Sequence, residues 1–195
     1  MLDDGASGPT KAAVRRRILA RRDTLPDLVG TARALSRHVL ATVWARPGSC
    51  IAAYVPIGSE PGSVALLDEL AGRGCRVLLP IVSADVLDWA EYDGVLTPGP
   101  WGLRQPAGPR LGAAALATAD AVLVPALAVD RRGTRLGRGA GFYDRSLGWI
   151  RPGTPLAALL HDGEFVQELL PVRSHDIPMT AVVTPSAGLV ELSPC

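Results

Sequence analysis

The chain has 195 residues, of which 48% are hydrophobic and 20% are charged, a balance typical of a globular protein long enough to bury the core of one domain. Its formal net charge of +1 excludes the strong positive field that would indicate nucleic acid or an anionic membrane as the partner. The three cysteines lack the paired spacings of a zinc site or a disulfide framework. We therefore interpret Cys50 and Cys75 as core thiols and Cys195 as a tail residue.

The first nine residues are acidic and small, and they lack the basic and then apolar build of a signal peptide. No apolar run reaches the roughly 18 residues that a membrane span needs. We expect a flexible leader over residues 1–9 and a single domain over residues 10–195. The protein is expected to be a cytoplasmic monomer or small oligomer, with the monomer preferred, and to have no nucleic-acid or membrane partner.

A helix is predicted over residues 11–23, with Thr10 as its N-cap. Lys11, Arg15 and Arg22 project onto one stripe beside the apolar stripe of this helix. Such charges are commonly a solvated face. Their position at the edge of the buried stripe also suits a seam where a polyanion is held.

Lys11 is the only lysine among the 20 basic residues. An arginine bias is usually genomic, and Lys11 could simply belong to a disordered tail. A compact ammonium on a flexible stem can also lie between phosphate oxygens in a way that a guanidinium fork does not. Composition alone leaves both interpretations open.

The rest of the chain alternates apolar strands with helical segments. Thr24-Leu-Pro-Asp27 begins a second helix, whose apolar face runs from Leu28 to Val43 and which ends at Pro47-Gly48. The later elements are predicted, in order, as a strand over 50–56, a helix from 61 to 70, strands over 76–82 and 87–92, a long loop over 94–112, and strands over 121–127, 156–160, 180–184 and 189–192. This alternation predicts an α/β fold, a three-layer domain whose mostly parallel central sheet is covered by helices on both faces.

A glycine-rich segment follows the strand predicted over 121–127. At the carboxyl edge of a parallel sheet, such a loop lies where ligands of open α/β sheets bind. Gly137, Gly139 and Gly141 alternate, so the backbone can turn tightly and present N–H groups at the start of a following helix. That arrangement suits a phosphate group.

Charged residues in the same segment fit this interpretation. Arg135 and Arg138 can add charge-assisted hydrogen bonds, and Asp144 supplies the carboxylate that Mg²⁺ on a nucleotide prefers. The segment is neither a Walker A loop, which ends in Gly-Lys-Ser/Thr, nor a G-x-G-x-x-G fingerprint. A glycine-rich loop can also be an ordinary turn, and residue chemistry alone reaches a phosphate-binding α/β domain.

Five blocks of the sequence resemble those of the 5-formyltetrahydrofolate cyclo-ligases. They span residues 11–185 in the order of that family, and the central block is the most specific. The blocks are Lys11-x-x-x-Arg15 with Ala20-Arg-Arg-x-x-Leu25, Tyr54-Val-Pro56 with Glu60, Trp101-Gly-Leu-Arg-Gln-Pro106, the segment from Asp130 to Asp144, and Pro171-Val-Arg-Ser-His-Asp176 with Val183-Thr184.

The resemblance implies a role for each matched residue. Lys11 and Arg15 would bind nucleotide phosphates, and Asp144 and Asp176 would hold Mg²⁺. The phosphate loop would comprise Arg135, Leu136, Gly137, Arg138, Gly139, Ala140, Gly141, Phe142 and Tyr143. Val55 and Glu60 would hold the folate, and Trp101 and Tyr143 would offer flat surfaces to its rings. Arg138 and Asp144 are the expected catalytic residues.

The reaction implied by the resemblance is phosphoryl transfer followed by ring closure. The formyl oxygen on N5 of 5-formyltetrahydrofolate would take the γ-phosphoryl group of ATP. Attack by N10 would then expel phosphate and leave 5,10-methenyltetrahydrofolate. Such chemistry needs positioning and charge stabilisation, and no covalent nucleophile on the protein.

Two features depart from the pattern of the family. Ala140 stands where many relatives carry lysine or glycine, and Phe142 replaces the commoner tyrosine. We assign no role to residues 161–165 and interpret His38, His161 and His175 as surface or structural residues. Two alternatives stay open: a silent relative that binds nucleotide or folate without turnover, and another phosphate-binding enzyme of similar topology, such as a sugar-phosphate isomerase or an acyl-CoA transferase.

Overall fold

The computed structural model describes residues 10–83, 86–172 and 176–192. The described residues form four α-helices and twelve strands. The helices are α1 Lys11–Arg22, α2 Leu28–Leu40, α3 Val64–Gly72 and α4 Phe142–Ser146. The strands are β1 Cys50–Ala52, β2 Arg76–Val82, β3 Leu87–Glu91, β4 Leu96–Pro98, β5 Arg104–Pro106, β6 Ala121–Pro125, β7 Ala128–Asp130, β8 Arg135–Leu136, β9 Leu156–Leu159, β10 Phe165–Val166, β11 Ala181–Thr184 and β12 Gly188–Glu191.

A seven-stranded sheet forms the centre, in the order β12-β11-β9-β6-β1-β2-β3. The five inner strands are parallel, and β3 and β12 run antiparallel at the two edges. The predicted α/β class with a mostly parallel sheet is therefore confirmed. The division into a leader and one domain stays a prediction, since residues 1–9 lie outside the described residues.

Apolar residues on alternate sides of the inner strands build a core on each face of the sheet. On β1, Ile51 packs on the side of α2 and α3, whereas Ala52 packs on the opposite side. The second face is covered by short helical segments: the 3₁₀ turns Ala113–Thr118 and Leu147–Trp149, together with α4. Strands buried on both faces explain the nearly continuous apolar runs in the sequence.

Two predicted ends are wrong by four residues or more. Helix α2 ends at Leu40, and Val43 is 77% exposed rather than part of the buried face. Strand β1 ends at Ala52, whereas the apolar run predicted a strand to Pro56. The chain turns out of the sheet there, and Tyr54 and Val55 line a cavity beyond the strand end.

The predicted long loop over 94–112 contains an antiparallel hairpin of β4 and β5. Its turn carries Trp101 with φ of +56°, a left-handed conformation that is uncommon for a residue with a side chain. Glycine and proline on either side of two three-residue strands conceal any alternating pattern in the sequence.

A second sheet of three short strands, in the order β10-β7-β8, was also missed by the sequence analysis. Two-residue strands are too short to show periodicity. Between β7 and β8 the chain turns at Gly133, where φ is +81° and a Cβ would lie 2.3 Å from the Met179 carbonyl oxygen, so only glycine fits. Helix α1 packs against this sheet through Val14 and Ile18, which places its first turn beside the glycine-rich loop.

Candidate active site

A cavity of about 390 Å³ lies where β1 and β6 end, at the edge of the sheet predicted to bind a ligand. Its walls come from α1, the turns after these strands, the β4–β5 hairpin and the glycine-rich loop. All but one of the predicted site residues line it. They are Lys11, Arg15, Val55, Glu60, Arg135, Leu136, Gly137, Arg138, Gly139, Ala140, Gly141, Phe142, Tyr143, Asp144 and Asp176.

Helix α1 supplies two cations to the cavity wall. Lys11 lies 3.1 Å from the Asp176 carboxylate, measured from Nζ to Oδ2. Arg15 donates from Nε to the Gly137 carbonyl oxygen at 2.9 Å, so the helix is joined directly to the glycine-rich loop. Lys11 and Arg15 therefore lie at the predicted junction between the basic stripe of α1 and the body of the protein.

Arg22 does not belong to that junction. Its side chain is only 1% exposed and forms two hydrogen bonds with the Glu164 carboxylate, from Nε at 2.7 Å and from Nη2 at 2.8 Å. The helical projection placed Arg22 beside Arg15, but it could not show a partner 142 residues away. Arg22 is a structural residue at the end of α1.

The glycine-rich loop depends on backbone conformations that favour glycine. Gly139 and Gly141 have φ values of +113° and +73°, both in the region that residues with a Cβ avoid. The helix that follows, α4, has only five residues. The helix predicted to follow the loop is thus only a short turn, so the loop N–H groups and the surrounding cations are the features suited to phosphate.

The Arg135 side chain stabilises the glycine-rich loop through its contacts with neighbouring residues. It donates to the Asp144 carboxylate and, from Nη1, to the Pro125 carbonyl oxygen at 3.2 Å. Its guanidinium carbon also lies 5.7 Å from the centre of the Tyr143 ring, within the range of a cation–π contact. Gly137 leaves room for this side chain, since a Cβ there would lie 2.9 Å from Arg135 Nη1.

The Tyr143 hydroxyl is buried and has no hydrogen-bond partner in the described part of the chain. Burial raises the pKa of the Tyr143 phenol, the Glu60 carboxylate adds to the rise, and the Arg135 guanidinium opposes it. Tyr143 lines the cavity, so a small shift would let its unpartnered neutral hydroxyl donate to or accept from a bound molecule.

Glu60 and Arg138 approach each other across the cavity. Arg138 donates from Nε to Glu60 Oε1 at 2.8 Å, and the Ile57 amide donates to Oε2 at 3.0 Å. The Glu60 side chain is nearly buried, whereas that of Arg138 is half exposed. The carboxylate predicted to hold folate thus contacts the loop predicted to hold phosphate.

Asp144 and Asp176 are the two carboxylates expected to hold Mg²⁺, and both line the cavity. Each is paired with a cation, Arg135 or Lys11. The described residues contain no group of three or more acidic, histidine or cysteine side chains that could hold a metal by themselves. Two carboxylates suit an Mg²⁺ ion that keeps waters and phosphate oxygens as its other ligands.

Residues 7–185 match the model of the 5-formyltetrahydrofolate cyclo-ligase family. The chain belongs to this family. A 5-formyltetrahydrofolate cyclo-ligase of Mycolicibacterium smegmatis is 43% identical over 190 residues, covering 94% of this chain and 97% of that protein. One from Escherichia coli K12 is 34% identical over 142 residues, covering 70% of this chain and 78% of its own.

The fold is also that of solved structures. The 5,10-methenyltetrahydrofolate synthetase of Aquifex aeolicus superposes with a TM-score of 0.75 at 26% identity, over 93% of this chain and 92% of its own. The corresponding protein of Mycoplasma pneumoniae, at 20% identity and a TM-score of 0.69, shares the fold over 88% of this chain and 96% of its own.

Trp101 is the predicted site residue of this cyclo-ligase family member that does not line the cavity. It is 77% exposed at the tip of the β4–β5 hairpin, and its ring centre lies 6.2 Å from that of Phe142. Leu103, Arg104 and Gln105 of the same hairpin do line the cavity. Trp101 therefore lies near the rim.

Arg145 is a cavity residue that the sequence analysis missed. Its Nη2 donates to the Ala140 carbonyl oxygen at 3.1 Å, and its guanidinium carbon lies 5.2 Å from the centre of the Phe142 ring. The signal was available, because Arg145 directly follows Asp144, the last residue of the central block. The structure shows that its cation lies at the loop position where this cyclo-ligase family member carries alanine.

Proposed function

We propose that this protein is an ATP- and Mg²⁺-dependent 5-formyltetrahydrofolate cyclo-ligase that forms 5,10-methenyltetrahydrofolate and releases ADP and phosphate. One observation carries the proposal. In a member of this family, a single cavity combines a glycine-rich loop, six cations and the Asp144 and Asp176 carboxylates with the Val55 and Glu60 wall. The six cations are Lys11, Arg15, Arg104, Arg135, Arg138 and Arg145.

ATP is proposed to lie along the glycine-rich loop with its phosphates toward α1. Lys11 and Arg15 extend from the first two turns of that helix, and Arg138 extends from the loop itself. Charge-assisted hydrogen bonds to phosphate are among the strongest that proteins form. Lys11 and Arg138 would exchange their present carboxylate partners for phosphate oxygens.

Asp144 and Asp176 would hold Mg²⁺. When bound, the ion neutralises charge on the nucleotide phosphates and orients them. The cations now paired with these carboxylates would be released as the carboxylates take up the metal. Each of these carboxylates would lose a protein cation and gain Mg²⁺, and Lys11 and Arg138 would gain phosphate in place of a carboxylate. This exchange limits the cost of leaving a buried charge unpaired.

The folate is proposed to bind on the Glu60 side. Glu60 would accept hydrogen bonds from the pterin N–H groups, and Val55 would pack against the ring. Tyr143 and Phe142, with Trp101 at the rim, offer aromatic surfaces. This arrangement would point the formyl oxygen at the γ-phosphoryl group.

The proposed reaction forms no covalent bond between the substrates and the protein. The formyl oxygen forms a bond to the γ-phosphorus as the bond to ADP breaks. N10 then attacks the formyl carbon, the carbon–oxygen bond breaks, and the departing phosphate takes the N10 proton. The described cavity residues include no cysteine, serine, threonine or histidine, and the task left to Arg138 and Arg145 is to stabilise charge on the transferred group.

The proposal includes a cytoplasmic monomer with a small-molecule substrate. The two described cysteines, Cys50 and Cys75, are buried and unpaired with each other, which agrees with a reducing compartment. No helix among the described residues is long and apolar enough to cross a membrane.

A silent relative that binds nucleotide or folate without turnover is the second candidate, favoured by the uncharged Ala140 in the loop. Release of ADP, measured with and without 5-formyltetrahydrofolate, separates the candidates. A cyclo-ligase releases ADP only with the folate and forms one methenyl product for each ADP. Absence of ADP release with both ligands bound would leave the silent relative, and ADP release without methenyl product would reject both.

A further inference from the structure

The turn after β9, residues 161–164, contains two buried polar side chains outside the cavity. His161 is 4% exposed and Glu164 is 3% exposed. The sequence analysis assigned this segment no role. Buried polar groups are costly unless they form hydrogen bonds, so the partners of these two residues indicate what the turn is for.

Glu164 joins the turn to α1 and to the cavity wall. Its carboxylate accepts both hydrogen bonds from Arg22 and a third from the His161 amide at 2.9 Å. Arg22 also donates from Nη2 to the Ala126 carbonyl oxygen at 2.7 Å, and Ala126 lines the cavity. The turn is thereby held rigidly against the helix that carries Lys11 and Arg15.

His161 extends from this rigid turn to the Glu60 segment. Its Nε2 lies 2.8 Å from the Ser59 carbonyl oxygen. A carbonyl only accepts, so Nε2 carries the hydrogen. Ser59 directly precedes Glu60, the carboxylate proposed to bind the pterin.

The segment held by His161 has little packing of its own. Ile57 is an exposed hydrophobic residue, and Gly58 has φ of +55°. Inside the segment, the Ile57 amide bonds to the Glu60 carboxylate, and the Glu60 amide bonds to the Ile57 carbonyl oxygen at 3.0 Å. His161 supplies a contact from a different and buried part of the chain.

The second ring nitrogen of His161 also indicates a role beyond packing. Nδ1 is buried without a hydrogen-bond partner in the described part of the chain, which costs stability compared with an apolar side chain of similar size. A residue kept only for packing would not carry that nitrogen. The hydrogen bond from Nε2 to Ser59 is the feature that compensates for it.

We propose that His161 is a positioning residue that fixes Glu60 toward the folate by holding the Ser59 carbonyl. The inference rests on the proposed function, because Glu60 is taken as the folate-binding carboxylate. His161 does not line the cavity, and it acts on folate binding only through residues 59 and 60. On the nucleotide side, this hydrogen bond can act only through Arg138, the partner of Glu60.

The test compares three variants of the full chain in steady-state kinetics with both substrates. His161→Leu removes the donor and should raise KM for 5-formyltetrahydrofolate about five- to tenfold, the effect expected for one lost hydrogen bond, with KM for ATP changed less than about twofold. His161→Gln keeps an N–H at a similar reach and should recover most of the loss. His38→Leu is the matched control, because His38 Nε2 lies 3.1 Å from the Pro185 carbonyl oxygen away from the cavity, and neither KM should change.

A second comparison separates positioning from a general structural effect. In a Glu60→Gln background, His161→Leu should add little to KM for the folate, since both changes act on the same carboxylate. An additive effect, or an equal rise in both KM values, overturns the proposal. If the leucine variant does not fold, His161→Asn takes its place, because its amide is too short to reach Ser59 and should show the loss that His161→Gln does not.

The two levels of the proposal fail in different ways. A folded wild-type protein that neither binds nor converts 5-formyltetrahydrofolate overturns the proposed function. An active wild type whose folate KM is unchanged by His161→Leu overturns the positioning role alone.

Discussion

Arg138 and Glu60 form an ion pair of 2.8 Å between the glycine-rich loop and the turn that precedes α3. The pair connects the two halves of the proposed site, and a bound nucleotide would draw Arg138 away from Glu60. Release of the carboxylate would then make it available to the folate. On the proposed function, the charges of the cavity are thus arranged for exchange with two ligands.

Glu60→Gln tests this relationship. The variant should raise KM for 5-formyltetrahydrofolate about tenfold or more, because a charge-assisted hydrogen bond is worth roughly 1.5–3 kcal/mol. KM for ATP should stay level or fall, since Arg138 no longer leaves a carboxylate partner. Glu69→Gln, an exposed carboxylate on α3, is the control. A rise in KM for ATP that matches the rise for the folate would contradict the assignment.

Lys11→Ala should act on the nucleotide side. Loss of one phosphate contact by a cation should raise KM for ATP about tenfold to a hundredfold, with a much smaller change for the folate. Arg17→Ala is the control on the same helix, since Arg17 is exposed and its nearest carboxylate, Glu168, is 3.7 Å away. An unchanged dependence on ATP would remove Lys11 from the site.

Asp144 should affect both metal dependence and stability. A carboxylate on a loop usually has little packing, and its loss then leaves the fold intact. In the structure Asp144 is the partner of Arg135, which is nearly buried, so Asp144→Asn should abolish Mg²⁺-dependent turnover and also lower the melting temperature. Asp176→Asn should raise the Mg²⁺ requirement with a smaller thermal effect, because its partner Lys11 is more exposed than Arg135. Wild-type Mg²⁺ dependence in Asp144→Asn would exclude it as a ligand.

Replacement of Arg22 should cause a large loss of free energy of unfolding without a direct effect on the cavity. Arg22→Met leaves the Glu164 carboxylate buried without its cation, and breaking a buried pair costs about 3–5 kcal/mol. Arg76→Met removes an exposed pair with Glu91 and should cost less than about 1 kcal/mol. Urea unfolding of both variants measures the difference. Equal losses would show that burial of the first pair is unimportant.

Because the pKa values of its three tyrosines are raised, the protein should lose stability at high pH. Burial raises the pKa of Tyr54 and Tyr143 well above the ordinary value, and burial with a hydrogen bond to Asp68 raises that of Tyr92 to about 12. Folding therefore favours the protonated phenols. Their contribution is fully present below the unfolded pKa of about 10 and is lost as the pH rises through the folded values. Phenolate absorbance of the native protein near pH 11 should be much weaker than in urea, and equal absorbance would contradict the burial of these rings.

Sequence patterns predicted those parts of the fold that are determined by residues adjacent in the chain. Thr10 caps α1 as expected, and β2 spans the predicted residues 76–82 because a continuous apolar run ends at polar residues on both sides. Short strands such as β8 gave no period to detect. Their existence depends on pairing with β7, which only the folded chain supplies.

The same distinction applies to the site. The glycines, Arg138 and Asp144 are close in sequence, and their chemistry could be interpreted together. The contacts of Glu60 with Arg138 and of His161 with Ser59 join residues 78 and 102 positions apart. No pattern along the chain encodes such contacts, and Arg22 was misplaced for the same reason.

An isotope label on the formyl oxygen tests whether this oxygen receives the phosphoryl group. 5-Formyltetrahydrofolate carrying ¹⁸O in the formyl group is incubated with the enzyme, ATP and Mg²⁺, and the released phosphate is analysed by mass spectrometry, with a sample lacking ATP as the control for exchange with water. Each phosphate released should carry one ¹⁸O atom, because the formyl oxygen becomes a phosphate oxygen before N10 closes the ring. Unlabelled phosphate, formed together with 5,10-methenyltetrahydrofolate from a substrate that kept its label, would contradict phosphorylation of the formyl oxygen.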